Sequence, residues 1–566
     1  MGSSQEPRIR EQPVEATNHL VERGVLPALA RVLASRGVAN ANELDTTLER
    51  LLPYDTLKNC DRAAELLFEA VRDNANFLIV ADYDADGATA AAIGLRFLKA
   101  VNVKVDYFVP NRFEHGYGLT PEIAEIANER NADWIITVDN GIASVSGVTR
   151  AKELGLKVLI TDHHLPGDTL PPADCIVNPN QKDDQFGSKA LAGVGVMFYI
   201  LIALRARLRD EHFFNERLKE PNLAQLLDLV ALGTVADVVP LDENNRILVA
   251  QGIRRIQSGK CNPGIKALLS AAKKSYQNVK CSDFGFLIGP RLNAAGRLTD
   301  MSIGIECLLS DDPKIATRHA LELNRLNQER REIESDMKDQ ALEILDQMNI
   351  SDSPIITIYD KRWHSGIVGI LASRIKEQYD RPVIAFASDG ADNLKGSGRS
   401  MPGLHLRDAL DSVTKQYPSI IEKFGGHAMA AGLTIKKENL SLFINAINLV
   451  VGDLMTKNPI DTSRLTDGPL SETELNEELA EAIQSGIWGQ AFPEPVFRNQ
   501  FYVREHRLLS DKHTKLGVSL TKSGPIIDAI RFNFAETTPE VIECQYKLDI
   551  NDYYSHRPIQ LIIEDW

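Results

Sequence analysis

Four clusters of acidic and histidine residues follow apolar segments in the first half of the chain. They are DYDADG (82–87), VDNG (138–141), TDHH (161–164) and GTVAD (233–237). Crowded carboxylates raise one another's pKa unless a cation neutralises them. Oxygen ligands with one imidazole favour Mg²⁺ or Mn²⁺ over Zn²⁺. An aspartate shared by two such ions, about 3.5 to 4 Å apart, would form a two-metal site that activates water against a phosphodiester.

Each cluster taken alone has an ordinary structural explanation. An Asp-x-Asp pair after a strand commonly caps a helix, a His-His pair is commonly structural, and VDNG is typical of a β-turn. Four clusters in the same context favour a functional site, because turn chemistry gives no reason for Asp and His to recur there.

The segments around these clusters predict the elements that hold them. Apolar runs alternate with helical patterns, which is typical of an α/β fold with a doubly wound parallel sheet; the runs are 76–80, 103–109, 134–138 and 157–160. Ligands of such sheets bind beyond the carboxyl ends of the strands, so we expect at least the first three clusters to converge. The fourth cluster follows the apolar run 229–232, and we place it at a strand end like the other three.

The second half of the chain predicts further elements. Residues 313–348 contain no glycine and no later proline, which indicates a connecting helix of roughly 55 Å. A second α/β unit follows from residue 354, with glycine-rich loops at 396–400 and 425–427. The stretch 461–481 has seven acidic residues and one arginine, typical of a solvated helix or linker. Five short strands after Pro493 predict a small barrel.

Composition sets the protein class. With 566 residues we expect three to four domains, which excludes a small binding module. A net charge of −15 argues against a surface that is basic throughout but allows a local basic patch. The six cysteines form no CxxC pair and predict reduced thiols. Without a signal peptide or a run of about 18 apolar residues, we expect a cytoplasmic protein with no membrane contact.

The four clusters resemble the motifs of the DHH phosphoesterase superfamily, and FGGHAMAAG (424–432) is similar to the signature of its DHHA1 companion domain. Within the superfamily, the order of motifs resembles the RecJ family of bacterial single-strand-specific exonucleases from about residue 50 onward. The resemblance implies a domain order: an N-terminal helical segment (1–60), a DHH catalytic domain (61–310), a connecting helix (311–349), a DHHA1 substrate-binding domain (350–455) and an OB-fold-like domain (456–566).

The resemblance also implies roles in the metal site. The metal ligands would be Asp84, Asp86, Asp139, His163 and Asp237, with Asp139 as the bridge. Asp82 would be an outer or alternative ligand, and His164 would lie near the scissile phosphate. Some branches have a histidine where this chain has Val80, so one metal site would be poorer in ligands.

Candidate substrate contacts lie in three regions. Arg112 can pair with a phosphate, and Tyr117 can stack on a base. A polar loop at 289–297 resembles a segment that the family uses near the active site, and the second α/β unit has polar residues beside its glycines. These candidates are Arg291, Asn293, Arg297, His364, Ser397, Arg399 and His427.

The predicted barrel carries a basic patch. Residues 498–531 hold seven Lys or Arg against three acids, with Phe501 and Tyr502 among them and Phe532 directly after. Basic and aromatic residues together are typical of OB folds that bind single strands, although an ordinary solvated barrel face stays an alternative.

These observations predict a metal-dependent exonuclease that degrades single-stranded DNA to 5′ mononucleotides. The resemblance implies a 5′-to-3′ direction, a role in repair and recombination, and two partners, a single-strand-binding protein and a RecQ-type helicase. Two alternatives stay open. One is a phosphodiesterase of short oligonucleotides or cyclic dinucleotides, and the other is a non-catalytic single-strand-binding scaffold.

Overall fold

The computed structural model describes residues 7–111, 117–348, 350, 353–390, 392–457, 464–510, 512–551 and 557–566. The chain forms two compact units. The larger unit contains Ile9–Asn324 and Leu465–Trp566, and the smaller unit contains Arg325–Arg464. Each unit has its own sheet and core.

A five-stranded parallel sheet organises the larger unit, which confirms the predicted α/β class. In spatial order its strands are Lys104–Phe108, Asn76–Ala81, Trp134–Val138, Lys157–Thr161 and Cys175–Val177. The central strands are apolar and buried on both faces, as expected for a sheet that helices cover on each side. The first three polar clusters follow three adjacent strands and therefore meet at one edge.

Helices surround this sheet. They are Cys60–Arg72, Ala85–Ala100, Pro121–Glu129, Val145–Glu153, Gly193–Asp210, Leu227–Ala236, Glu243–Gln257, Pro263–Ala271, Gly289–Leu298 and Ser302–Leu309. Two expectations about this region are wrong. The strand-end context given to the fourth cluster is wrong, because its apolar run lies in a helix, although the pattern of residues 191–270 as a whole predicts mainly helices, as observed. The predicted polar loop at 289–297 is also helical and begins with a proline in its first turn.

The predicted connecting helix is confirmed as Pro313–Gln347, a single helix of 35 residues. It leads into the smaller unit, whose five-stranded sheet has the order Ile421–Gly426, Ala430–Lys436, Asn393–Arg399, Val383–Asp389 and Ile356–Tyr359. The helices Val368–Tyr379, Leu406–Gln416 and Leu440–Lys457 complete this unit.

The loop expected at 396–400 is mostly strand. A Cβ on Gly396 would lie 2.5 Å from the Phe386 ring, and a Cβ on Gly398 would lie 2.5 Å from Leu406. These glycines therefore make room for side chains that pack over the strand, rather than providing a flexible loop.

Among the described residues, one segment, Lys437–Lys457, is long and apolar enough by composition to cross a membrane. Within the smaller unit, one face of this segment is buried. Phe443, Ile447 and Val451 lie in the hydrophobic core with Phe386. That packing is typical of a core helix in a folded domain.

The closed five-stranded barrel is confirmed. Its strands in spatial order are Phe497–Leu509, His513–Ser519, Ile527–Arg531, Ile559–Asp565 and Val541–Ile550. The N-terminal helices Val14–Glu22 and Pro27–Ala34 belong to the same unit, and Ala28 and Val32 are buried with residues of the barrel core.

The acidic stretch before the barrel is only partly solvated, contrary to expectation. Asp467 is buried and accepts two hydrogen bonds from Arg36, at 2.7 and 3.0 Å. Apolar residues of the same stretch, among them Leu470 and Leu479, enter the barrel core. Composition alone did not separate the inner face of this segment from its charged outer face.

Candidate metal centre

The DYDADG cluster lies where a strand passes into a helix. Asp84 caps the helix Ala85–Ala100, because its Oδ1 accepts hydrogen bonds from Asp86 N and Gly87 N at 3.0 and 3.1 Å. A Cβ on Gly87 would lie 2.6 Å from the carbonyl oxygen of Asp82, so only glycine fits this turn. The turn thereby brings three aspartates to one strand end.

Asp86 is fully buried and is held by the start of another helix. Its Oδ2 accepts a hydrogen bond from Gly193 N at 2.6 Å, and its Oδ1 accepts one from Val194 N at 2.9 Å. Burial and the nearby charge of Asp84 raise the pKa of Asp86 to about 7, although the two backbone N–H groups oppose that shift. The carboxylate is thus fixed in orientation but poorly compensated in charge.

Asp139 occupies a left-handed backbone conformation with φ +61°, uncommon for a residue other than glycine. The neighbouring Asn140 fixes the turn, because its Nδ2 donates to the carbonyl oxygens of Val80 and Val138 at 3.0 and 2.9 Å. The turn thereby holds Asp139 at the end of the strand Trp134–Val138, directed by backbone contacts of its neighbour.

His163 lies among three carboxylates. Its Nε2 is 3.1 Å from Asp139 Oδ1, 3.4 Å from Asp237 Oδ2 and 4.0 Å from Asp86 Oδ2. The ligand atoms form three overlapping groups, each within 4.8 Å: Asp139, His163 and His164; Asp86, His163 and Asp237; and Asp82, Asp84 and Asp139. Asp139 and His163 each belong to two groups, an arrangement that fits two adjacent ions.

The donor set fits a divalent cation. Asp139 Oδ1 is buried and accepts no hydrogen bond within the described part of the chain. Burial and the charges of Asp86, Asp84, Asp237 and Asp82 raise the pKa of Asp139 well above its ordinary value. A bound cation would remove both costs, since it would coordinate the oxygen and offset the repulsion.

Beside this cluster, Asp162 holds His164. His164 Nδ1 lies 2.7 Å from Asp162 Oδ1, and Asp162 also accepts a hydrogen bond from Ile142 N at 2.9 Å. Burial alone would lower the pKa of His164, but the interaction with Asp162 raises it to about 9. The charged form of His164 is thereby favoured, and a histidine in this position is suited to donate a hydrogen bond to a phosphate oxygen. Asp162, for which the sequence predicts no separate role, thus holds the ring of His164.

Comparisons with known proteins place the chain in a family. Family models match at residues 76–234 (DHH family, N-terminal domain), 352–453 (DHHA1 domain) and 466–565 (RecJ OB domain). The single-stranded-DNA-specific exonuclease RecJ of Salmonella typhimurium is 48% identical over 99% of both chains. Its namesake from Escherichia coli is 47% identical over the same shares. The chain belongs to the RecJ family.

Solved structures of RecJ agree with this assignment. The crystal structure of RecJ from Thermus thermophilus in complex with Mn²⁺ is 30% identical with a TM-score of 0.83, covering 100% of this chain and 80% of that one. The Mg²⁺ complex from the same organism is 28% identical with a TM-score of 0.77, covering 99% of this chain and 78% of that one.

Of the six residues expected at the RecJ-type centre, all lie in the three ligand groups, together with His164. Tyr117 lies at the rim, 48% exposed, with its ring centroid 6.2 Å from that of His164. Arg112 lies outside the described residues.

The candidates of the 289–297 segment have inward contacts. Asn293 Oδ1 accepts a hydrogen bond from Ala85 N at 2.7 Å and so supports the first acidic turn. Arg291 is buried and donates to Leu287 O at 2.7 Å and to Asn324 Oδ1 at 3.0 Å. Arg297 lies half-buried in the last turn of the same helix. These contacts position the metal centre and its surroundings.

The remaining candidates belong to the smaller unit. Arg399 Nη1 donates to Ser397 Oγ at 3.0 Å, and a Cβ on Gly369 would lie 2.8 Å from Arg399 Nη2. Burial lowers the pKa of Arg399, and no carboxylate pairs with it among the residues that the structure describes. His364 Nδ1 accepts a hydrogen bond from Gly366 N, and His427 N donates to Ala430 O. Arg399 beside the start of Val368–Tyr379 is suited to bind an anion.

Sequence reasoning missed two glycines of the centre. A Cβ on Gly193 would lie 2.6 Å from Asp139 Cβ, and a Cβ on Gly233 would lie 2.9 Å from Asp86 Oδ1. The only signal was the position of Gly233 at the start of the fourth motif, since Gly193 begins a helix and no motif marks its partner.

Proposed function

We propose that this protein is a metal-dependent exonuclease specific for single-stranded DNA, which uses Mn²⁺ or Mg²⁺ to hydrolyse phosphodiester bonds and release 5′ mononucleotides. The observation that carries the proposal is the pair of shared ligands, Asp139 and His163, between overlapping groups of metal-ligating atoms. The names of its closely similar relatives support DNA as the substrate, and the solved relatives were crystallised with these two ions.

The proposed mechanism assigns each residue a task. Asp84, Asp86, Asp139, His163 and Asp237 hold the ions, with Asp82 as an outer ligand. Bound divalent ions supply the positive charge that activates a water molecule and offsets charge on the phosphodiester. His164, kept protonated by Asp162, donates a hydrogen bond to a non-bridging phosphate oxygen. Asp162 also fixes which ring nitrogen of His164 faces the substrate.

Other regions bind the strand away from the centre. In the smaller unit, Arg399 and Ser397 bind phosphates, together with His364 and His427. The other candidates border or support the substrate path; they are Arg112, Tyr117, Arg291, Asn293 and Arg297. The barrel contributes exposed Arg504 and Arg507. The 5′-to-3′ direction, the cytoplasmic location and the two partners, a single-strand-binding protein and a RecQ-type helicase, belong to this proposal through the resemblance to the family.

The bridging carboxylate provides the test. In Asp139→Ala, we expect loss of hydrolysis with retention of single-strand binding, because the variant removes a ligand that belongs to two of the three groups and removes no proposed DNA contact. The measurements are mononucleotide release with Mn²⁺ and binding to a labelled oligonucleotide in EDTA. Asp174→Ala, whose carboxylate pairs with Lys152 on the surface, is the control. Substantial remaining hydrolysis in Asp139→Ala would contradict the assignment.

The same assay separates the two alternatives and tests polarity. A phosphodiesterase of dinucleotides would act faster on dinucleotides than on strands of tens of nucleotides. A scaffold would release no mononucleotides with either ion. A 5′-blocked strand should resist degradation and a 3′-blocked strand should not, if the direction is 5′ to 3′.

A further inference from the structure

Two large apolar side chains project into solvent around the helix end that carries Asp237. Val238 follows this acidic residue directly, is 61% exposed and has φ +61°. A β-branched residue in the left-handed region is a true outlier that needs support from its surroundings. Phe286 is 76% exposed and belongs to a π-helical turn, Phe284–Ile288. Inserted π turns of this kind are frequent at functional sites.

The π turn packs on the same helix end. A Cβ on Gly285 would lie 3.9 Å from Val235, and a Cβ on Gly289 would lie 3.1 Å from Ala236 Cβ. Phe286 lies between these two glycines in the chain. The turn therefore runs along the last residues before Asp237.

The element that follows the π turn reaches the first acidic cluster. Asn293 accepts the hydrogen bond from Ala85 N, and a Cβ on Gly296 would lie 1.9 Å from the carbonyl oxygen of Tyr83. Arg291 fixes the turn itself through its bond to Leu287 O. The segment 284–298 thus lies along the metal centre, with contacts at Ala236 and at Ala85. Phe286 is the large apolar side chain of this segment that is exposed to solvent.

We infer that Phe286, on the turn that packs against the helix end at Val235 and Ala236, is a stacking platform for the bases of the strand that enters the metal centre. The inference rests on the proposed function and names how the site recognises its substrate. An aromatic face binds unpaired bases of any sequence, because every base has a π face, whereas bases of a duplex are already stacked and paired. The platform is therefore a specificity determinant for single strands and not a catalytic residue.

The test compares Phe286→Ala with wild type on two 5′-phosphorylated 20-nucleotide strands. One strand is complete, and the other lacks the bases of its first six nucleotides. We expect Phe286→Ala to raise KM for the complete strand about tenfold, or about 1.4 kcal/mol, and to leave KM for the abasic strand within about twofold. Phe286→Tyr should restore most of the difference between the strands, because it keeps the ring.

Two controls separate the possible failures. Leu449→Ala removes another exposed apolar side chain, 62% exposed and located in the smaller unit, and should behave as wild type on both strands. Isothermal titration with Mn²⁺ should give the same affinity for Phe286→Ala and wild type. An equal effect of Phe286→Ala on both strands, or no effect on either, would overturn the inference. A wild-type protein that degrades neither strand would instead contradict the proposed function.

Discussion

Gly193 leaves no space for a side chain against Asp139. A Cβ at position 193 would lie 2.6 Å from Asp139 Cβ and 2.9 Å from its Cα. The backbone N–H of the same glycine donates to Asp86 Oδ2 at 2.6 Å. One glycine thus fixes the distance and orientation of two metal ligands that lie more than fifty residues apart in the chain, on the two sides of the centre.

Gly193→Ala should therefore impair metal binding. We expect Mn²⁺ affinity and hydrolysis to fall about 10- to 100-fold, as for other changes that disturb the residues behind a metal ligand. Crowding should also lower the free energy of unfolding by about 1 to 3 kcal/mol. Titration calorimetry and thermal unfolding measure the two effects.

Gly195→Ala on the same helix is the matched control. Its Cβ would approach only the end of a flexible side chain, Leu191 Cδ2, at 2.9 Å, so a small shift of that side chain relieves the contact. If Gly193→Ala binds Mn²⁺ as tightly as wild type and Gly195→Ala, the proposed packing requirement is wrong.

The sequence predicted which candidate residues lie together where those residues follow strands with a recognisable pattern. Asp84, Asp139 and His163 each follow a strand of one parallel sheet, so a simple rule about strand ends was enough to bring them together. Asp237 also reaches the centre, but from the end of a helix whose first eight residues are buried. The stretch 191–270 was predicted to be mainly helical, but the rule about strand ends does not apply to a residue that follows a helix.

Local sequence patterns did not predict contacts between distant parts of the chain. Arg36 and Asp467 are separated by 431 positions, and no local pattern around either residue indicates its partner. Likewise, Gly396 and Gly398 suggest a flexible loop until Phe386 and Leu406 are seen to pack over them. In both cases the decisive neighbour is set by tertiary structure and not by the local sequence.

Stability of the metal-free protein should depend on pH through Asp86. Its pKa is raised from 3.8 to about 7, so between these values the folded protein keeps a proton that the unfolded chain has released. Through this group, the free energy of unfolding should therefore decrease as pH rises from about 4 to 7. Mn²⁺ must displace that proton, so its affinity should increase over the same range.

Melting temperatures with EDTA and with Mn²⁺, measured from pH 5 to 8.5, check this dependence. The gap between the two curves should widen up to about pH 7, near the raised pKa of Asp86. Asp86→Asn should make the EDTA curve shallower, because the amide does not titrate. A gap that stays constant across this pH range in the wild type would contradict the proposed link between the proton on Asp86 and Mn²⁺ binding.

The ion pair of Arg36 should hold the N-terminal segment on the barrel. Both side chains are nearly inaccessible, with 1% and 2% of Arg36 and Asp467 exposed, and Arg36 also donates to Pro493 O at 2.7 Å. Arg36→Ala leaves a buried carboxylate with less compensation, which typically costs about 3 to 5 kcal/mol. Denaturant unfolding measures that loss, and faster hydrogen exchange in the helix Pro27–Ala34 locates it.

An exposed ion pair provides the comparison. Arg62 pairs with Glu65 on the surface of the helix Cys60–Arg72, and Arg62→Ala should change the free energy of unfolding by less than about 0.5 kcal/mol. Equal losses for Arg36→Ala and Arg62→Ala would mean that the buried pair does not anchor the segment.

The barrel's basic patch is smaller than its composition indicates. Arg498, Lys515 and Arg531 pair with Glu543, Asp528 and Asp565 at 3.0, 2.9 and 3.3 Å, so part of their charge is already neutralised. Arg504 and Arg507 are exposed on the strand Phe497–Leu509, and no ion pair involves them within the described residues. These two arginines are the better candidates for phosphate contact.

Salt dependence distinguishes the two kinds of arginine. Each phosphate contact that is lost should reduce the slope of log affinity against log salt by about 0.7 for a single strand. The double variant Arg504→Ala/Arg507→Ala should therefore bind an oligonucleotide more weakly at low salt, with a slope shallower by about 1.4. Arg498→Ala should leave the slope near that of wild type, because this side chain is paired with Glu543. Fluorescence anisotropy measures the slopes between 50 and 300 mM salt, roughly the range where such contacts dominate. A slope unchanged in the double variant would place the DNA path elsewhere on the barrel.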